Sequence, residues 1–159
     1  MTSKLLTTWS EYDAATQEIL DRSTVTLEIF DEDLSSLKLE SLSKVAALRA
    51  LLDSHRSPGR LTIVVRKADF VRQYSPRLLN LLSTYAPALT ISESPPHLGT
   101  LAESLLIADG RHALVRFHRD QPRSRLIVDD QSECAPVVQR FNEIVAAGVQ
   151  PLSPTTLGL

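Results

Sequence analysis

A chain of 159 residues, 43% of them apolar, is long enough for one domain with a real core and short for two. Its net charge of −2 gives no general pull toward nucleic acid or an anionic membrane, and its single cysteine, Cys134, excludes an internal disulfide. No apolar run approaches the roughly 20 residues that span a bilayer, and the opening MTSKLLTTWSEYDAA lacks a signal peptide's apolar core, so a cytoplasmic protein is expected.

Residues 9–22, WSEYDAATQEILDR, predict a helix with Ser10 as N-cap and Tyr12, Ala15 and Ile19 as its apolar stripe. TVTLEIF, residues 24–30, alternates like a strand and ends at Asp31, Glu32 and Asp33, which read as a solvated turn rather than a hard-cation site. A second helix is expected from a Ser43 cap to about Ser54, with Val45, Leu48, Leu51 and Leu52 at core spacing, followed by the turn SHRSPGR. LTIVV, residues 61–65, is apolar throughout and predicts a strand buried on both faces; Arg66 and Lys67 after it read as an ordinary strand-end charge pair. Residues 69–85 are helical but interrupted at Pro76, with Ser75 placed to cap the second segment.

Pro87 precedes a short strand, ALTIS, and PPHLG is an irregular loop. Strands are expected at 103–108, 112–118 and 125–128, the first two joined through Asp109-Gly110. A last helix from near Ser132 carries Val137, Val138, Phe141, Ile144 and Val145 on one face and stops at Gly148. This order predicts an α/β fold with a mixed, mostly parallel central sheet and helices on both faces, a core over about 9–147, and an extended tail over 149–159.

No cysteine pair or HExxH offers a zinc site, and no GxGxxG, GxxxxGK[ST] or GxSxG is present, so no metal and no cofactor are expected. Cys134, near a helix start, reads as structural or inert.

The element order, SLLIADGRHALV and the closing RLIVDDQSECAPVVQRFNEIV together resemble one half of the phospholipase D superfamily, over about residues 23–147. In that family the strand before Asp-Gly carries His-x-Lys-x4-Asp. Its His is the nucleophile that takes a phosphoryl group, and a second His protonates the leaving group. Placing Asp109 on the motif's Asp puts Ala102 at the His position and Ser104 at the Lys position. Alanine has no lone pair with which to attack, and serine carries no positive charge. Arg116, Phe117, His118 and Arg119 stand where the family has Gly-Ser-x-Asn. The chain is similar to a bacterial group of such half-domains without the motif, and the resemblance implies a phospholipase D-like pseudoenzyme.

Five arginines, Arg111, Arg116, Arg119, Arg123 and Arg125, lie between residues 111 and 125. Alternation along 112–118 puts His112, Leu114, Arg116 and His118 on one face, and Ala113, Val115 and Phe117 on a core face. One reading is an anion site, with Arg116, His118, Arg119, Arg125 and Asp109 as ligand-binding residues for a phosphorylated or anionic partner. The commoner state of such a run is a solvated edge hairpin, or internal pairing with Asp109, Asp129, Asp130 or Glu133. With no aromatic platform, single-stranded nucleic acid is an unlikely partner. The leading expectation is a non-catalytic binding module. The alternatives are a phosphodiesterase with a relocated histidine, His118 or His97, and a structural homodimer paired through the former active-site face.

Overall fold

The computed structural model describes residues 2–54 and 59–153. In chain order its elements are β1 (Thr2–Leu6), α1 (Trp9–Arg22), β2 (Thr26–Asp31), α2 (Leu42–Leu52), β3 (Arg60–Val65), α3 (Asp69–Tyr74), α4 (Pro76–Tyr85), β4 (Leu89–Glu93), β5 (Ser104–Ala108), β6 (His112–Arg116), β7 (Ser124–Val128), α5 (Gln131–Ala146) and β8 (Gln150–Pro151). Short 3₁₀ turns occupy Ser35–Leu37 and Pro96–Leu98.

All the strands join one sheet in the order β1-β7-β6-β5-β2-β3-β4-β8. It is mixed, as expected, but the parallel share is smaller than expected. Only β2–β3 and β3–β4 run parallel, against five antiparallel pairs. The reason is connection length. β2, β3 and β4 are separated by helices that can cross over, whereas β5, β6 and β7 follow one another through short turns that permit only antiparallel pairing. β1 and β8, both unpredicted, add antiparallel strands at the two edges.

Alternation sorts the core into two layers. Leu27, Ile29, Leu61, Ile63, Leu106 and Leu114 pack beneath the helices α1, α2 and α4. Phe30, Val64, Leu105, Ile107 and Ile127 pack against Cys134, Phe141 and Ile144 of α5. Helices therefore cover both faces, and burying each such side chain stabilises the fold by about 1.5–3 kcal/mol.

Several boundaries differ from the sequence reading, each for a local reason. α1 is capped by Thr8, not Ser10: Thr8 Oγ1 accepts from the Glu11 amide at 3.1 Å, and Glu11 Oε1 accepts from the Thr8 amide at 3.1 Å, a closed capping box. α2 starts at Leu42 and ends at Leu52. Pro76 does split the helical stretch, standing at the first position of α4. α5 begins under Asp130, whose Oδ1 accepts from the Glu133 amide at 3.0 Å, and Val145 leaves the core stripe, being 37% exposed. Asp109 and Gly110 have φ of 57° and 67°, the signs a type I′ hairpin turn requires. Part of the SHRSPGR turn (55–58) and the tail from 154 lie outside the described residues.

Candidate functional site

The alternation of β2 runs one residue past its expected end. Leu27, Ile29 and Asp31 share a face, so Asp31 is an inward carboxylate, 2% exposed, and not a solvated turn residue. Arg116 closes the same face of β6 and is 1% exposed. β2 and β6 both flank β5, and across it Arg116 Nη2 meets Asp31 Oδ1 at 2.9 Å. Arg116 Nη1 donates to the carbonyls of Arg119 at 2.6 Å and His118 at 3.3 Å. Its guanidinium lies 5.4 Å from the Trp9 ring centroid and 5.0 Å from that of Tyr12, at cation–π distance. Asp31 Oδ2 accepts from the amides of Leu34 at 2.8 Å and Asp33 at 3.2 Å. The Tyr12 hydroxyl sits 3.5 Å from Ser104 Oγ, and burial pushes its pKa up.

Beside this pair is a second cluster, which the sequence reading missed. Arg66 is not an ordinary strand-end charge: its side chain is 3% exposed, and Nη1 donates to the Gly99 carbonyl at 2.9 Å. Among the described residues nothing accepts a hydrogen bond from its Nε or Nη2. Nη2 faces Glu32 Oε1 at 3.5 Å, an ion-pair distance without hydrogen-bond geometry. The same oxygen is 3.6 Å from Lys67 Nζ and 3.5 Å from Arg119 Nε. The Glu32 backbone is held separately, its carbonyl accepting from the amides of Arg66 at 3.0 Å and Lys67 at 2.8 Å. Burial pushes the Arg66 pKa down, and Glu32 opposes that shift. Four cations, Arg66, Lys67, Arg116 and Arg119, thus pair with two carboxylates, Asp31 and Glu32, while Asp33, Glu93 and Asp120 add further negative charge at the same end.

The other arginines are dispersed. Arg125 is on the opposite sheet face from Arg116, and donates to Ser3 Oγ and Glu133 Oε2, each at 2.8 Å. Arg111 pairs with Asp129 beyond the far end of the β5–β6 hairpin. β6 stops at Arg116, so the expected alternation does not reach 118: Phe117 is 47% exposed and not core, and His118 is an exposed rim residue whose Nδ1 accepts from the Asp120 amide at 3.2 Å.

Asp109 also lies at the far end of the hairpin. Ser104 pairs with Arg116 at one end of β5, and Ala108 with His112 at the other. Asp109 accepts from the amides of Thr24, Val25 and Thr26 and from the Thr24 hydroxyl, at 2.7–3.2 Å. Burial opposes its ionisation, but these bonds outweigh it and hold the carboxyl below the usual range. Its role here is to fasten the start of β2. Cys134 is buried, and burial with Asp130 and Glu133 nearby pushes its thiol up to about 11, away from reactivity.

Open clefts lie elsewhere. One of about 260 Å³ is lined by Leu34, Lys38, Phe70 and Tyr74 among others, and one of about 190 Å³ by Trp9, Asp13, Ser36 and Lys38. Neither includes Arg66 or Arg119. Among the described residues no group of three His, Cys, Asp or Glu side chains is placed to hold a metal ion, and no helix is long and apolar enough to cross a membrane.

A family model described as Domain of unknown function (DUF7931) matches residues 8–150. The chain belongs to the DUF7931 family. No curated protein sequence matches it. Solved structures similar to this DUF7931 chain include the phosphatidylserine synthase of Haemophilus influenzae Rd KW20, at a TM-score of 0.70 and 14% identity over 99% of this chain and 41% of that one. TrmBL2, an archaeal chromatin protein that binds DNA, matches at 0.68 and 13% over 96% of this chain and 55% of its own. Nuc from Salmonella typhimurium, a phospholipase D family member, matches at 0.62 and 8% over 95% and 99%. The DUF7931 chain thus spans about half the length of TrmBL2 and nearly all of Nuc. At these identities the likeness is one of fold, and the fold is that of the phospholipase D family. On it, Ala102 lies two residues before the start of β5 and Ser104 opens the strand, directly opposite Arg116.

Proposed function

We propose that the chain is a single-domain, non-catalytic phospholipase D-like module that binds an anionic or phosphorylated ligand at the end of the sheet where β2, β3 and β6 finish. The observation that carries this reading is the convergence of Arg66, Lys67 and Arg119 on one carboxylate oxygen there, with two nitrogens of the buried Arg66 lacking an acceptor among the described residues. Buried guanidinium donors are costly unless paired, and an anion's oxygens pair them. Arg119 and His118 form the accessible rim, and Arg116 buttresses it by holding the carbonyls of both. The non-catalytic half of the reading rests on Ala102 and Ser104, which supply neither a nucleophile nor a cation. The single buried thiol is in keeping with a cytoplasmic setting.

The test is calorimetric titration with inorganic phosphate, a nucleotide and short DNA at low and moderate salt. Anion binding that weakens with salt and is lost in Arg119→Ala is expected. No binding at low salt, or turnover of a phosphodiester that disappears in His118→Ala, would contradict it. A homodimer through this face is a second reading, favoured by the exposed Trp9, whose ring lies 5.4 Å from the Arg116 guanidinium, and by the exposed Phe117, next to Arg116 in the chain. Gel filtration with light scattering decides it, and a Phe117→Ser variant that leaves the molecular mass unchanged would count against it.

A further inference from the structure

The three cations around Glu32 all converge on one oxygen, Oε1, at 3.5–3.6 Å. Charge-assisted hydrogen bonds run at about 2.7–2.9 Å, so the carboxylate sits in a cage wider than it can fill. Its backbone is anchored through the carbonyl, independently of its side chain. The side chain is 22% exposed and lies between the buried Arg66 and the more accessible Lys67 and Arg119, 69% and 37% exposed. Glu32 Oε1 thus stands 3.5 Å from the buried Arg66 Nη2 and accepts no hydrogen bond from it or from Arg66 Nε.

We propose that Glu32 is an exchangeable plug in a phosphomonoester site made by Arg66, Lys67 and Arg119, which swings out when a ligand's terminal phosphate takes its place. The inference rests on the anion-binding reading above and specifies its ligand. A phosphomonoester has three non-bridging oxygens for three cationic groups and carries about two negative charges near neutrality. A phosphodiester offers two oxygens and one charge. Arg66 supplies a planar fork of N–H donors, and Lys67 a mobile point charge. The Glu32 charge also sets a threshold, because a weaker anion does not displace it.

The experiment is calorimetric titration of the full chain and its Glu32→Gln variant with inorganic phosphate, dimethyl phosphate, glycerol phosphate and vesicles containing phosphatidic acid. Glu32→Gln is expected to bind inorganic phosphate at least about ten-fold more tightly than the parent, with a smaller gain for dimethyl phosphate. Adding Arg119→Gln should abolish the gain. Alongside the gain with inorganic phosphate, a gain with glycerol phosphate assigns a soluble ligand, and a gain with phosphatidic acid vesicles but not with glycerol phosphate assigns a lipid headgroup; both support the plug. Equal phosphate affinity in parent and variant would overturn the plug and leave the anion-binding reading standing, whereas no anion binding by either would overturn both. If Glu32→Gln does not fold, the Glu32 carboxyl carbon resonance of the parent decides: it shifts as phosphate saturates, and an unmoved signal overturns the plug.

Discussion

Arg116 and Asp31 face each other at 2.9 Å with both side chains almost fully removed from water. Removing one partner of such a pair leaves an uncompensated buried charge, at a cost of about 3–5 kcal/mol. Arg116→Met should lower the urea midpoint accordingly, and Asp31→Leu/Arg116→Met should recover part of the loss. A single variant as stable as the parent would show that the pair is not buried as described. His112 presents a different case. Its Nδ1 accepts from the Asp129 amide at 2.9 Å, so that nitrogen must be unprotonated in the fold. Burial and the cations Arg22 and Arg111 lower its pKa below 6.5, against Asp109 and Asp129. Below 6.5 the unfolded chain then binds a proton that the folded chain refuses, so stability present above that pH is lost as pH falls. Chemical denaturation between pH 5 and 8 should show this slope. His112→Asn, which keeps an acceptor without the titration, should flatten it; an unchanged slope contradicts the assignment.

Among the elements, the β5–β6 hairpin separates holding from binding. Asp109 fastens the start of β2 at one end, while Arg116 supports the cation cluster at the other. Asp109→Ala should therefore cost on the order of 2 kcal/mol, through lost hydrogen bonds and a left-handed backbone position, yet leave anion affinity unchanged. A change in affinity with no change in stability would reverse these roles. Asp109 stands out in the sequence because the Asp-Gly turn is conspicuous, but its chemistry is local. Asp31 and Arg66 were legible in principle: continuing the period of two from Leu27 and Ile29 reaches Asp31, and continuing it from Thr62 and Val64 reaches Arg66. An acidic run and a basic dipeptide after apolar strands nevertheless read as solvated ends, because burial of such charges depends on partners 85 residues away, as Asp31 and Arg116 are. The short edge strands β1 and β8 were illegible for a related reason, since their pairing is set by the sheet they join and not by their own pattern.

At the scale of the whole molecule, the layered α/β architecture follows from strong local signals. LTIVV, the Pro76 break, the Asp-Gly turn and, apart from Val145, the α5 stripe sit where the sequence puts them. The arginine cluster did not survive folding as a unit, because neighbours in sequence alternate between sheet faces and hairpin ends. Arg125 and Arg111 left it, and Arg66 and Lys67, fifty residues upstream of Arg116, joined Arg119 in their place. What the fold assembles is a convergence of Arg66, Lys67 and Arg119 on Glu32, which we read as the anion site. The most direct test of that claim is a backbone amide NMR titration with inorganic phosphate at low salt. The account predicts saturable shifts concentrated at residues 31–33, 66–67 and 117–119. Shifts confined to Gly110, Arg111 and Asp129, or none at all, would contradict it.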